Sequence, residues 1–243
     1  MAVVSVLLLA GLWSAVGVSS LAVVTCGSVV KIPNTRHNMR LHYGSGRGLQ
    51  SVTGVTSVDD SNSYWRIRGK TATVCERGTA IRCGQPIRRP HVNTGRNLHS
   101  HHFTSPLSGN QEVSAFGEEG EGDYLDDWTV LCNGPYWVRD GEVLFKHFST
   151  EVLLPVTGER YGRPISGQEE VHGMAQPSQN NCWKAMEGIF MKPSELTTEG
   201  RSPPRRAHVR STLEWRPSLV SIVLQSSQEI ASAVRRLLPS QNP

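Results

Sequence analysis

The sequence predicts an all-β protein, a β-trefoil of three repeats followed by a mostly irregular tail, and three observations carry that prediction. Gly27-Ser-Val-Val-Lys31, Gly84-Gln-Pro-Ile-Arg88 and Gly141-Glu-Val-Leu-Phe145 open segments whose starts lie 57 residues apart. Each copy closes on a tryptophan, Trp65, Trp128 and Trp183. Between those marks the apolar runs are short, alternating or β-branched, and are punctuated by Gly, Pro, Asn and Asp, the pattern of strands joined by tight turns. About four strands fit in each copy. A unit of that size cannot bury its own apolar face, so three copies must close on one another into a barrel capped by hairpins. The tryptophans are then expected in the core at equivalent positions.

Composition bounds the rest. The chain has 243 residues, 37% hydrophobic and 19% charged, which suits a folded domain and not a disordered one. Residues 1–196 carry 18 Lys+Arg against 18 Asp+Glu, and residues 197–243 carry 7 Arg against 3 Glu, so the formal +4 comes entirely from the tail. A balanced body lacks the clustered basic face that a phosphate backbone requires, and no nucleic-acid partner is expected. Beyond the N-terminus no apolar stretch is long enough for a membrane span.

The N-terminal segment has an apolar core from Val3 to Val18, then small residues, and reads as a secretory signal peptide over residues 1–18. Secretory entry permits disulfides, and the cysteines obey the period: Cys26 and Cys83 are 57 residues apart, as are Cys75 and Cys132. These four are the expected bridge partners, with three possible connectivities. Cys182 lies outside the symmetry and is expected to be a free or buried thiol. The repeats are placed at residues 21–75, 83–138 and 139–193, and the tail at 197–243. Within the tail, Leu219, Val223, Ile230, Val234 and Leu237 recur at rough helical spacing, so one short helix or no packed structure is expected there.

Several segments carry a resemblance: Ser63-Tyr-Trp-Arg-Ile-Arg68, Gly95-Arg-Asn-Leu-His-Ser-His-His102, Asn110-Gln-Glu-Val-Ser-Ala-Phe-Gly117, Asp127-Trp128 and Trp183-Lys-Ala-Met-Glu-Gly188. In order and spacing they are similar to MIR repeats, found in protein O-mannosyltransferases and in inositol trisphosphate and ryanodine receptors. Three repeats after a signal peptide, with little else, resemble the small luminal members of that family. The resemblance implies a β-trefoil of the endoplasmic reticulum lumen that binds misfolded polypeptides together with a J-domain co-chaperone and the luminal heat-shock chaperone. Two departures stand out. In repeat 1, Leu41-His42 runs directly into Tyr43-Gly44, whereas repeat 2 continues Leu98-His99-Ser100-His101, so repeat 1 reads as shortened and a function using its histidines is in doubt. No retention tetrapeptide closes the sequence, so retention through a partner or secretion is expected. Pro33 and Pro155 fall in or beside predicted strands, where a missing N–H costs a ladder bond.

His99, His101 and His102 are the natural metal ligands or bases, but without a carboxylate at ligand spacing they read as solvated histidines, His99 and His101 on one face of a strand and His102 on the other. The acidic run Glu118-Glu119-Gly-Glu121-Gly-Asp123-Tyr-Leu-Asp126-Asp127 lacks EF-hand spacing and reads as a solvated loop or a docking patch. No Gly-x-Ser-x-Gly elbow and no dinucleotide fingerprint occur, so no catalytic residue, metal or cofactor is expected. The surface candidates for binding are therefore His99, His101, His102, Glu118, Glu119 and Asp123. The rival to client binding is a lectin-like trefoil, for which Tyr43, Tyr124 and Tyr161 are the roughly recurring aromatic positions.

Overall fold

A computed structural model describes residues 23–44, 51–163, 165 and 167–194. The signal peptide and the tail with its candidate helix lie outside the described residues. Repeat 1 contributes β1 (Val29–Lys31), β2 (Arg40–His42), β3 (Thr53–Val55) and β4 (Trp65–Arg66), followed by β5 (Arg68–Gly69). Repeat 2 contributes β6 (Pro86–Arg88), β7 (Asn97–Thr104), β8 (Gln111–Phe116) and β9 (Trp128–Cys132). Repeat 3 contributes β10 (Val143–His147), β11 (Val156–Arg160), β12 (Glu169–Gly173) and β13 (Glu187–Ile189). The architecture is the β-trefoil. First and last strands meet, with Val29 opposite Ile189, while β5, β6, β9 and β10 continue the wall. The hairpins β2–β3, β7–β8 and β11–β12 cap it and join through β3–β12 and β12–β8.

The three tryptophans are fully buried, and each satisfies its indole N–H on the carbonyl of the leucine that opens its own hairpin. Trp65 donates to Leu41 at 2.9 Å, Trp128 to Leu98 at 3.0 Å and Trp183 to Leu154 at 2.7 Å. A buried ring therefore carries no unmet donor, which makes it usable as a core residue. One hairpin residue per repeat, Val52, Val113 and Val171, points into the same core.

The period needs one correction. Gly27 and Gly84 adopt φ of 84° and 86°, and the third residue in that left-handed position is Asp140 at 58°, not Gly141. Aspartate tolerates this conformation because its short polar side chain bonds locally, so a glycine one residue on mimics the repeat without occupying its place. The spacings are thus 57 and 56, and the second left-handed position repeats as Asn38, Gly95 and Glu151. In this register the core position five residues after the first left-handed residue is Ile32, Arg89 and Phe145, all fully buried.

Disulfides join Cys26 to Cys75 and Cys83 to Cys132, each spanning 49 residues. Both staple the opening of a repeat to its closing segment, and loops of that size give about 4 kcal/mol each in chain-entropy terms. Cys182 is free, and burial followed by the Glu142 charge pushes its thiol pKa up, so it is an inert thiol. Repeat 1 is short where expected: Leu41 to Val52 spans 11 residues, against 15 from Leu98 to Val113 and 17 from Leu154 to Val171. Both prolines fall outside the named strands, Pro155 directly before β11 and Pro33 two residues after β1, where it forms an isolated antiparallel bridge with Arg40.

Candidate functional site

The longest hairpin, β7–β8, carries the most chemistry. Alternation along β7 puts Leu98 and Ser100 against the core and sends His99, His101 and Phe103 to the other face. Their rings stack in a row: His99 to His101 at 5.2 Å and His101 to Phe103 at 4.3 Å between centroids. Phe116, from β8, extends the row beyond His99 at 4.8 Å. The row ends in two apolar rings open to solvent, Phe103 at 68% and Phe116 at 44% exposure.

Carboxylates flank it. The N–H of His101 Nε2 donates to Glu112 at 2.9 Å, and that of His99 Nδ1 to Asp126 at 2.8 Å. Asp126 comes from a 3₁₀ turn, Tyr124–Asp126, closed by a capping box: Asp123 accepts from the Leu125 N–H at 2.8 Å, and Asp126 accepts from the Asp123 N–H at 2.9 Å. Asn97 also donates to Asp126, at 3.1 Å. Burial is the largest influence on Asp126 and leaves its pKa raised despite these bonds.

The expectation of solvated histidines is corrected at His99, which is 4% exposed and held by a buried aspartate. The carboxylate missing at ligand spacing arrives from 27 residues along the chain. His99, Asp123 and Asp126 place ligand atoms within 4.8 Å of one another, but those atoms already bond one another and the backbone, which makes the cluster a structural latch. His101 is half-buried in the row, and His102 is exposed on the opposite face. Glu118 and Glu119 are exposed, Glu119 beside Gly95 and Gly120. The acidic run is therefore not one solvated loop: Asp123 and Asp126 form the latch, and Asp127 accepts from the Thr71 N–H at 2.8 Å.

The latch has a counterpart in repeat 1. The N–H of His42 Nδ1 donates to Asp60 at 2.7 Å, and Ser63 donates to the same carboxylate at 2.5 Å. Burial raises the Asp60 pKa, yet these bonds outweigh it and hold the carboxyl below its usual range. The shortened repeat thus lacks the second histidine of repeat 2 but keeps a histidine–aspartate bond. In repeat 3 the histidine position is Pro155. The signal was present in Leu41-His42 and Leu98-His99, each followed by an Asp five residues before the tryptophan that closes its repeat, in Asp60-Ser-Asn-Ser63 and Asp123-Tyr-Leu-Asp126.

A second polar cluster lies where the hairpins meet. Glu170, fully buried on β12, accepts from Ser105 Oγ, from the Leu107 N–H at 3.0 Å and from the Ser108 N–H at 3.1 Å, and so shapes the β7–β8 turn. His172 Nδ1 stands 3.2 Å from its other side. The Tyr161 phenol is pushed up to about 12 by burial and by the Glu170 charge. Burial works against ionised Glu170, but the donors outweigh it and its pKa lies below 4.5. A depressed carboxylate pKa gives stability that is complete above its unfolded value and is lost as pH falls through the folded one. Glu170→Gln is therefore expected to cost roughly 1 to 3 kcal/mol at neutral pH, with the difference from wild type closing below about 4.5. Urea unfolding at neutral pH and in acid checks this; a gap independent of pH would refute it.

A trefoil whose three hairpins cap a barrel of equivalent tryptophans defines the class of MIR-domain proteins, and the MIR domain model matches residues 31–160. Stromal cell-derived factor 2 of Bos taurus is 88% identical over 201 residues, covering 81% of this chain and 95% of that protein. The Homo sapiens protein is 87% identical over the same coverage. The crystal structure of the SDF2-like protein from Arabidopsis thaliana superposes with a TM-score of 0.67 at 38% identity, over 71% of this chain and 99% of that one. The chain belongs to the stromal cell-derived factor 2 family.

Proposed function

We propose that this is a non-enzymatic chaperone-complex component of the secretory lumen, which holds misfolded polypeptides in concert with a J-domain co-chaperone and the luminal heat-shock chaperone. The observation that carries the reading is the ring row of β7–β8, where two phenylalanines remain in solvent although the fold has an apolar core to bury them. Exposed apolar surface mounted on a rigid hairpin is what a weak, sequence-tolerant polypeptide binder presents. Each ring that a client covers contributes roughly 1.5 to 3 kcal/mol. Family membership supports the luminal setting and the partners. The same row, flanked by Glu112 and Asp123, also offers a stacking platform beside hydrogen-bonding carboxylates, which favours carbohydrate as the second reading.

The test is suppression of aggregation of a reduced, denatured client by the purified chain. Phe103→Ser with Phe116→Ser is expected to weaken protection at least tenfold, while the thermal midpoint stays close to wild type because both rings are outside the core. Undiminished protection would overturn the reading. A glycan array run on the same variants separates the alternatives: loss of a glycan signal with intact client protection moves the row to carbohydrate.

A further inference from the structure

A different face, away from the ring row, carries an unpaired basic strip. In Trp65-Arg66-Ile67-Arg68, Trp65 and Ile67 are fully buried, so alternation turns Arg66 and Arg68 outward together. The extension is continuous across the two short strands, since the Ile67 N–H donates to Ser28 at 2.8 Å. A cavity of about 460 Å³ lies beside them, with Val29, Ile67, Ile189 and Met191 as its apolar lining and Arg77 on its far side. A second, smaller depression of about 130 Å³, beyond Arg66 and Arg68, ends at Glu119. The two guanidiniums thus stand between two adjoining hollows.

None of the three arginines has a carboxylate at ion-pair distance among the described residues; the arginines that form ion pairs are Arg40 and Arg160. Arg77 rests instead on the Met191 thioether at 2.8 Å, a weak acceptor. It lies across Gly27, where an added Cβ would stand 2.9 Å from Arg77 Cγ. In a body whose charges balance, three unpaired guanidiniums around an apolar floor form a local excess that calls for an anion with apolar surface.

We propose that this strip docks an extended, acidic segment of a partner polypeptide, with carboxylates two residues apart on the side that faces the arginines and an apolar side chain two residues further along that same side. The spacing supports a peptide over a single anion. Residues two apart on a strand are separated by about 6.7 Å, so Arg66 and Arg68 match two carboxylates two apart on a facing extended segment. One phosphate could bridge them but would leave the apolar floor open. This surface is distinct from the ring row and does not depend on the client-binding reading.

The experiment measures fluorescence anisotropy of a labelled peptide containing Glu-Thr-Glu-Thr-Val against the full chain, with the Gln-Thr-Gln-Thr-Val peptide as control. The acidic peptide is expected to bind roughly tenfold or more tightly than the control, with an affinity that falls as salt rises. Arg66→Gln with Arg68→Gln is expected to remove that margin at an unchanged thermal midpoint, and Phe103→Ser with Phe116→Ser to leave it intact. Equal binding of the two peptides, or no effect of the arginine pair, overturns the proposal. So does loss of binding in the phenylalanine pair, which would put the peptide on the ring row. Displacement by inorganic phosphate at concentrations comparable with the peptide also overturns it, by reducing the strip to a simple anion site.

Discussion

Arg89→Leu is expected to stabilise the protein by about 3 kcal/mol and to raise its thermal midpoint by roughly 10 °C. Arg89 occupies the core position that Ile32 and Phe145 fill in the other two repeats, and it is fully buried. None of its guanidinium nitrogens finds a hydrogen-bond partner among the described residues; its only compensation is aromatic, 3.8 Å from the Phe145 ring centroid and 5.4 Å from that of Trp128. Burial lowers its pKa well below the usual guanidinium range, to about 9, a shift worth on the order of 5 kcal/mol against the folded state wherever the group stays charged. Cation–π attraction returns about 2 kcal/mol of that. Leucine removes the desolvated charge, keeps apolar contact with both rings and restores the residue type of the equivalent sites. The pH dependence has a definite sign. Above about 9 the unfolded chain still binds the proton that the folded chain has released, so wild-type stability rises with pH there, while the leucine variant lacks this gain. Denaturant unfolding at neutral pH and above pH 9 should therefore show a wide gap that narrows. A leucine variant no more stable than wild type at neutral pH would mean that the guanidinium is solvated after all.

That arginine also shows where the sequence stops being legible. The trefoil itself could be read: strand-length apolar runs, tryptophans closing each copy and cysteines in matched positions all follow from a period that every repeat must respect to share one core. What failed was a single residue of register. Counting from Gly141 makes the third counterpart of Ile32 and Arg89 into Lys146, and a basic residue opposite a basic residue looks ordinary. Counting from Asp140 makes it Phe145, and the buried charge becomes visible. Only backbone conformation distinguishes the two counts. The histidines were found by type but misjudged in environment, because the carboxylate that buries His99 lies 27 residues away and no local pattern announces that approach. The ring row was half legible, since alternation places His99, His101 and Phe103 together, but Phe116 joins only through the β7–β8 register. Likewise Arg66 and Arg68 share a face by alternation, whereas their meeting with Arg77, Ile189 and Met191 depends on closure of the barrel between β1 and β13.

The buried charge and the tryptophan core are coupled, and that coupling sets the second large effect. Trp128→Ala removes a fully buried ring and its bond to Leu98, which by itself costs roughly 3 to 5 kcal/mol. Trp65→Ala and Trp183→Ala remove equivalent rings with equivalent bonds, to Leu41 and Leu154. The three substitutions should nevertheless differ, because only the Trp128 cavity opens beside a guanidinium. Water entering a polar cavity can meet hydrogen-bonding groups that an apolar core leaves unmet, so hydration of Arg89 offsets part of the loss. Trp128→Ala is therefore expected to cost about 1 to 2 kcal/mol less than Trp65→Ala in the wild-type background. In the Arg89→Leu background the relief is gone, and the two tryptophan substitutions should cost the same within about 0.5 kcal/mol. The measurement is a double-mutant cycle over Arg89 and Trp128 by urea unfolding, with Trp65→Ala as the reference. Additivity across Arg89 and Trp128 would show that the arginine and the ring do not share their environment, and the account of Arg89 as the anomalous member of the repeat would have to be given up.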